Sequence, residues 1–307
     1  MSSPLTVQAT RGLRPSTLVL PAGPWLTLLE GLVARFPAIS AATWAERCAR
    51  GLVLDADQRP LPADHPYQAG LRLHYYREVA DEAEIPFREQ ILYQDEHLLV
   101  VDKPPFLPVI PSGRFVEQTL LARLGRQLDC TTLQPLHRLD RHTSGLVLFS
   151  RQPASRGAYQ NLFRDQQIDK VYEALAPALP AHTFPLWRRS RIVRDDQFFR
   201  SRETTGECNA ETRIEVLDAQ GPIWRYALYP LTGKKHQLRL HLAALGAPIV
   251  NDALYPTVDD RLAEDYQRPL QLLARQIGFV DPLSGQPRRF TSQLVLNDAT
   301  PCSRSHR

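Results

Sequence analysis

The 307-residue chain has no apolar run approaching the ~18 residues that cross a bilayer, which argues against a membrane protein. Its opening stretch, MSSPLTVQATRGLRP, lacks the apolar core and small-residue cleavage site of a secretory leader, so a cytoplasmic location is expected. Cysteine is scarce. Cys48, Cys130, Cys208 and Cys302 lie far apart and form no CxxC pair, so neither a disulfide framework nor a metal site is expected. No internal repeat and no low-complexity tract interrupts the chain.

A large excess of one charge is missing too, since the net charge is only +4. Its distribution says more. Residues 25–80 balance six arginines against six acids. Residues 187–202, WRRSRIVRDDQFFRSR, hold six arginines and two aspartates, with Trp187, Phe198 and Phe199 interleaved. Arginine mixed with aromatics suits a phosphate backbone and unstacked bases, which makes Arg188, Arg189 and Arg191 nucleic-acid candidates. The competing account is a solvated hairpin whose arginines pair with acids elsewhere.

Periodicity divides the chain. Residues 1–15 read as a disordered tail and the last ten, 298–307, as a loose one. WLTLLEGLVARF (25–36) has helical spacing. Ser40 is placed to cap a second helix that stops at Gly51. GLVLDAD and GLRLHYY then read as short strands, so 16–80 forms a small module, followed by an acidic linker at 81–88 and a main domain over 89–297. In the main domain, strands are expected in ILYQDEHLLVVDKP, GLVLFS, KVYEALAPA, ETRIEVLD and WRYALYPL, with helices over 115–128, 153–167 and 232–246. In the last helix Arg239 lies between Leu238 and Leu242, off the expected packed face. Clustered strands with helices between them predict an α+β fold with a mixed, mainly antiparallel sheet.

The stretch LHRLDRHTSG (136–145) sets a single carboxylate, Asp140, beside Arg138 and Arg141. Adjacent cations favour an ionised carboxylate, a poor proton donor at neutral pH but a ready nucleophile or base. The arginines also offer the planar fork that phosphate accepts. Taken alone, a structural ion pair explains the stretch as well.

HRLDRHTSG resembles the signature of the RluA-type RNA pseudouridine synthases at His137, Arg138, Leu139, Asp140, Thr143, Ser144 and Gly145. Lys170-Val171-Tyr172, the block from Gly233 to His241, VDKP (101–104) and GAPIVNDALYP (246–256) are similar to further family motifs in the same order. Asn251 and Pro256 stand where the family has glycines. The resemblance implies a pseudouridine synthase fold with a central cleft. It also implies isomerisation of uridine in RNA, 23S-type rRNA or tRNA, without a cofactor. Asp140 would be the essential acid acting on the ribose. Tyr172 would stack on the uracil and help remove a proton. Arg239 would pair with Asp140 and keep it ionised. Arg138 would fill the gap left by the target nucleotide or hold its phosphate, and Arg141 is a second RNA-binding candidate. Lys234, Lys235 and His236 open a helix, where free N–H groups favour phosphate. His137, His142 and His241 are expected to make structural hydrogen bonds.

Many relatives carry a helix–helix–hairpin RNA-binding unit of the ribosomal-protein type at the N-terminus, which ISAATWAERCARGLVL resembles. Here DADQRP replaces the usual Asn-Gly turn and lysines, and the segment is neutral. It reads as a degraded version, with most of the RNA grip expected from 187–202 and 234–239. A monomer is expected. The rival readings are a silent RNA-binding protein, a glycoside hydrolase, which needs two carboxylates, and phosphoryl transfer, which needs an acidic Mg²⁺ cluster absent around Asp140.

Overall fold

A computed structural model describes residues 15–79 and 82–297. The expected tails, Pro15 apart, lie outside the described residues, as does Asp81 of the expected linker. The described residues fall into two compact units, one within 15–83 and 110–131, the other within 84–109 and 132–297.

In the first unit, β1 (Ser16–Val19), β2 (Val53–Leu54) and β3 (Arg72–Tyr75) form an antiparallel sheet in the order β1-β3-β2. Helices α1 (Leu28–Arg35), α2 (Ala41–Ala49) and α3 (Leu120–Gln127) complete it. Thr27 and Glu30 form a capping box on α1, and Ser40 caps α2 as its sequence position predicts. Strand β1 was not expected. Its four residues are too few to show a period. Leu28, Leu32, Trp44, Val53 and Leu73 make this unit's core.

The second unit is built on an eleven-stranded sheet. Its strands are β4 (Gln90–Gln94), β5 (Leu98–Lys103), β6 (Gln134–Pro135), β7 (Ser144–Ser150), β8 (Asp169–Pro177), β9 (Leu186–Arg194), β10 (Ser201–Thr204), β11 (Ala210–Asp218), β12 (Ile223–Pro230), β13 (Leu272–Val280) and β14 (Pro287–Thr291). The main path runs β10-β9-β11-β12-β8-β13-β7-β5-β4, with β14 on β13 and β6 on β7. The pairing of β13 with β7 is parallel and the others are antiparallel, so the mixed, mainly antiparallel α+β expectation holds.

Helix α4 (Pro153–Arg164) places Tyr159 and Leu162 in a core with Leu98, Leu146 and Ile277. Helix α5 (Gln237–Ala244) places Leu238 and Leu242 against Ala174, Ile214 and Leu228, while Leu240 enters a separate cluster with Ile192 and Tyr255. All of Gln237 to Leu242 is buried. Arg239, expected off the face packed by Leu238 and Leu242, is nevertheless only 2% exposed, and the helix reaches solvent at Ala244. The buried polar residues of such a helix need internal partners.

Candidate active site

The parallel junction of β7 with β13 sets the position of Asp140. Gly145, the second residue of β7, sits at φ +107°, where a Cβ would stand 2.3 Å from the Ala274 carbonyl oxygen. Only glycine lets the two backbones approach this closely. The preceding loop is tied down from several sides. Thr143 N–H donates to the Asp140 carbonyl at 3.1 Å. His137 Nε2 accepts from Leu148 N–H at 3.1 Å, and burial, with Lys170 nearby, pushes its pKa down to about 3. The fully buried Lys103 ammonium donates to the carbonyls of Pro104 and Leu107 at 2.9 Å and to that of Arg141 at 3.1 Å. Burial lowers its pKa to about 7.

Arg138 and Arg141 flank Asp140 in sequence, but the guanidinium that bonds its carboxylate is that of Arg239. Arg141 is turned away. It pairs bidentately with Glu264 at 2.7 and 2.8 Å and donates from Nε to the Phe106 carbonyl at 3.0 Å. His142, beside it, bonds the Ala263 carbonyl at 3.0 Å. A carboxylate of the same chain thus occupies the Arg141 fork, and contact with RNA would have to compete with Glu264.

The cation for Asp140 comes from α5. Arg239 donates from Nε and Nη2 to Asp252 at 2.8 and 2.6 Å and from Nη1 to Asp140 Oδ2 at 3.4 Å. Asp252 is 1% exposed in its side chain and also receives the N–H groups of Leu254 and Tyr255. Asp140 keeps 28% of its side chain exposed. Burial opposes its charge, but His236 and the Arg239 guanidinium outweigh it, and its pKa falls below the usual carboxylate value. His236 itself is pushed down to about 4 by burial, so at neutral pH the guanidinium is the charge that matters.

An open cleft of about 550 Å³ exposes this carboxylate, lined also by Arg138, Lys170, Tyr172, Lys234 and His236. Tyr172, half-buried on β8, has its phenol pKa raised by burial and by the Asp140 charge, so it is a neutral phenol at pH 7. Arg138, Lys234 and Lys235 are exposed, while His236 is 8% exposed. The Thr232–His236 turn is organised by Gln237, whose side-chain oxygen receives Thr232 Oγ1 at 2.7 Å and Lys234 N–H at 3.1 Å.

The arginines of β9 are placed otherwise. Arg188 pairs with Glu203 across the β9–β10 hairpin, and Arg189 with Glu211 at 2.7 Å. Neither they nor Arg191 lines the cleft. Arg188 and Arg189 thus pair with acids of their own chain, Glu203 on β10 and Glu211 on β11. His241 bonds Ser190 and Thr212, a structural role as expected. Asp252, Lys103, Glu264 and Tyr255 were missed as parts of this constellation, although Lys103 lies in VDKP, and Asp252 and Tyr255 lie in GAPIVNDALYP, stretches already singled out. Among the described residues no cluster of three or more His, Cys, Asp or Glu side chains forms a metal cage, and no helix is long and apolar enough to cross a membrane.

The family described as RNA pseudouridylate synthase matches residues 97–244. An uncharacterized RNA pseudouridine synthase of Synechocystis sp. is 31% identical over 282 residues, covering 89% of this chain and 96% of the relative. The dual-specificity RNA pseudouridine synthase RluA of Yersinia pestis is 33% identical, covering 65% of this chain and 96% of its own. Among solved structures, human RNA pseudouridylate synthase domain containing 1 superposes with a TM-score of 0.53 at 25% identity, over 66% of this chain and 82% of that one.

Proposed function

The chain belongs to the RNA pseudouridylate synthase family and isomerises uridine in RNA, and on that premise we propose that Asp140 is the carboxylate that acts on the ribose of the target uridine. The observation that supports this reading is a single ionised carboxylate, exposed in a cleft and paired with a buried guanidinium that is itself anchored by Asp252. Such a group can attack the sugar carbon or take the proton of its neighbour. Either route breaks the bond to nitrogen and frees the uracil to rejoin through carbon. The target must first leave its stack, at a cost of a few kcal/mol.

Tyr172 would stack on the uracil. Its phenol is kept neutral first by burial and then by the Asp140 charge, so it would help remove the proton from the new carbon–carbon junction by passing its own proton on as it takes that one. Arg138 at the cleft mouth would fill the vacated position or hold its phosphate. Lys234 and Lys235 would hold the flanking backbone. His236 belongs to the RNA-contacting set as well. Arg191 would contribute on β9, and Arg188 and Arg189 only by giving up Glu203 and Glu211. The functional division would be 16–80 as a degraded RNA-binding module and 89–297 as the catalytic domain, acting as a cytoplasmic monomer without cofactor on 23S-type rRNA or tRNA.

The test is RNA incubated with the protein, treated with carbodiimide and copied by reverse transcriptase. Pseudouridine keeps the adduct and stops the copy. Asp140→Asn should abolish the stops, and stops that persist would reject Asp140 as the acting group.

A further inference from the structure

His236 occupies the left-handed backbone region, φ +61° and ψ +17°, at the start of α5. Side-chain-bearing residues rarely adopt it, and when they do the conformation often serves a site. Here it directs one ring edge to Tyr255 and the other to Asp140. Nδ1 stands 2.8 Å from the Tyr255 phenol oxygen, and Nε2 stands 3.8 Å from Asp140 Oδ2.

The phenol fixes the tautomer. Its oxygen accepts the Ser201 N–H at 2.9 Å and donates its single hydrogen to the Ser201 carbonyl at 2.9 Å. Ser201 is buried on the edge strand β10, so a phenol turned elsewhere would strip that carbonyl of its partner. With its hydrogen committed, the phenol can only accept from His236. Nδ1 therefore carries the proton, and the neutral ring presents a bare Nε2.

Asp140 is acceptor-only as well. Two acceptors thus face one another across 3.8 Å, and the described residues offer no donor to Nε2. The gap suits a hydroxyl brought from outside. A uridine whose sugar meets Asp140 brings one, the 2′-hydroxyl, on the carbon next to the bond that breaks.

We propose that His236 is a substrate-contacting residue whose Nε2 accepts the hydrogen bond of the target nucleotide's 2′-hydroxyl, with Tyr255 and the Ser201 main chain holding the tautomer that makes this possible. The proposal rests on the reading of Asp140 as the group that meets the ribose. It gives the cleft a way to prefer ribose over deoxyribose at the one residue that reacts, since the 2′-hydroxyl is what distinguishes the two sugars.

Two measurements test it. In the protein alone, nitrogen-15 histidine spectra, with His236 assigned by its loss in His236→Phe, should show Nδ1 protonated. An Nε2-protonated ring overturns the proposal. The second uses an RNA oligonucleotide spanning the carbodiimide-mapped uridine, made with ribose or 2′-deoxyribose at that residue alone, and measures equilibrium binding at constant salt. The wild-type protein should bind the deoxy probe about fivefold to twentyfold less tightly, the loss of one hydrogen bond. His236→Phe should bind the two probes within about twofold of each other. Tyr255→Phe, which keeps the imidazole but releases its tautomer, should show a penalty between these values, and it decides the matter if His236→Phe fails to fold. No penalty in the wild type, or an undiminished one in the variants, overturns the proposal. Failure of the Asp140 reading is separate, since it appears as pseudouridine still formed by Asp140→Asn whatever the deoxy ratio.

Discussion

Arg239 Nη1 stands 3.4 Å from Asp140 Oδ2, farther than either of the two bonds that tie the same guanidinium to Asp252. The stronger pair positions the weaker one. Arg239 is immobilised by a buried carboxylate and offers its remaining nitrogen to the exposed carboxylate in the cleft. The looser contact leaves Asp140 free to engage a substrate without first losing a tight bidentate partner.

Asp252→Asn keeps the shape of that anchor and removes its charge. It should lower the single-turnover rate about 10- to 100-fold, as loss of a supporting partner does, while RNA affinity changes little. It should also destabilise the fold by about 3 kcal/mol, because a buried guanidinium loses its main counter-ion. Stopped-time assays and thermal melts measure the two effects. An unchanged rate would show that Arg239 needs no anchor.

The acid side of the pH–rate profile follows from the depressed pKa of Asp140. A carboxyl whose folded pKa lies below its unfolded one is ionised throughout the neutral range. Activity that needs the anion is lost only as pH falls through the folded value. The group's stabilising contribution has the same sign, present above the unfolded pKa and lost as pH falls through the folded one. Arg239→Gln removes the cation and should move the acid limb of the rate to higher pH. An acid limb in the same place in both proteins would mean that another group controls it.

Salt dependence of RNA binding separates free from committed cations. Lys235→Ala and Arg138→Ala should each reduce the slope of log K against log salt by about one phosphate contact. Arg141→Ala and Arg188→Ala should leave it unchanged, since Glu264 and Glu203 hold those guanidinium groups. Filter binding across a salt series reads the slopes.

Gly145 and Gly246 both have positive φ, but only the first lacks room for a side chain. Gly145→Ala would drive a methyl to 2.3 Å from the Ala274 carbonyl oxygen and should cost more than about 3 kcal/mol, separating β7 from β13 beneath Asp140. Gly246→Ala meets nothing within 4 Å and should cost about 1 kcal/mol of backbone strain. Denaturant melts of the two variants should therefore differ clearly, and equal costs would refute the close-approach account.

Local pattern made much of the second unit readable. The hairpin of β11 and β12, the buried run of β7, and the proline that starts α4 follow from alternation, turn residues and helix-start chemistry in a few neighbouring residues. Strand β13 escaped because LLARQIGFV has no clean period of two, and its parallel partner β7 lies far off in the chain. The burial of Arg239 in α5 was hidden from the sequence for a similar reason. Its leucines mark one packed face, but nothing local shows that Ile192 and Tyr255 cover another and leave Arg239 buried.

What the amino-acid sequence determined by itself was the chemical inventory: one acid among basic residues in LHRLDRHTSG, a tyrosine in a strand, an arginine in a late helix, and the class of protein their order identifies. Tertiary structure decided which charges meet. Arg141, one residue from Asp140, is taken by Glu264 across 123 positions, while Arg239 reaches Asp140 across 99. Ion pairs form by distance in space and by desolvation, and neither quantity is encoded in the separation of two letters along a chain.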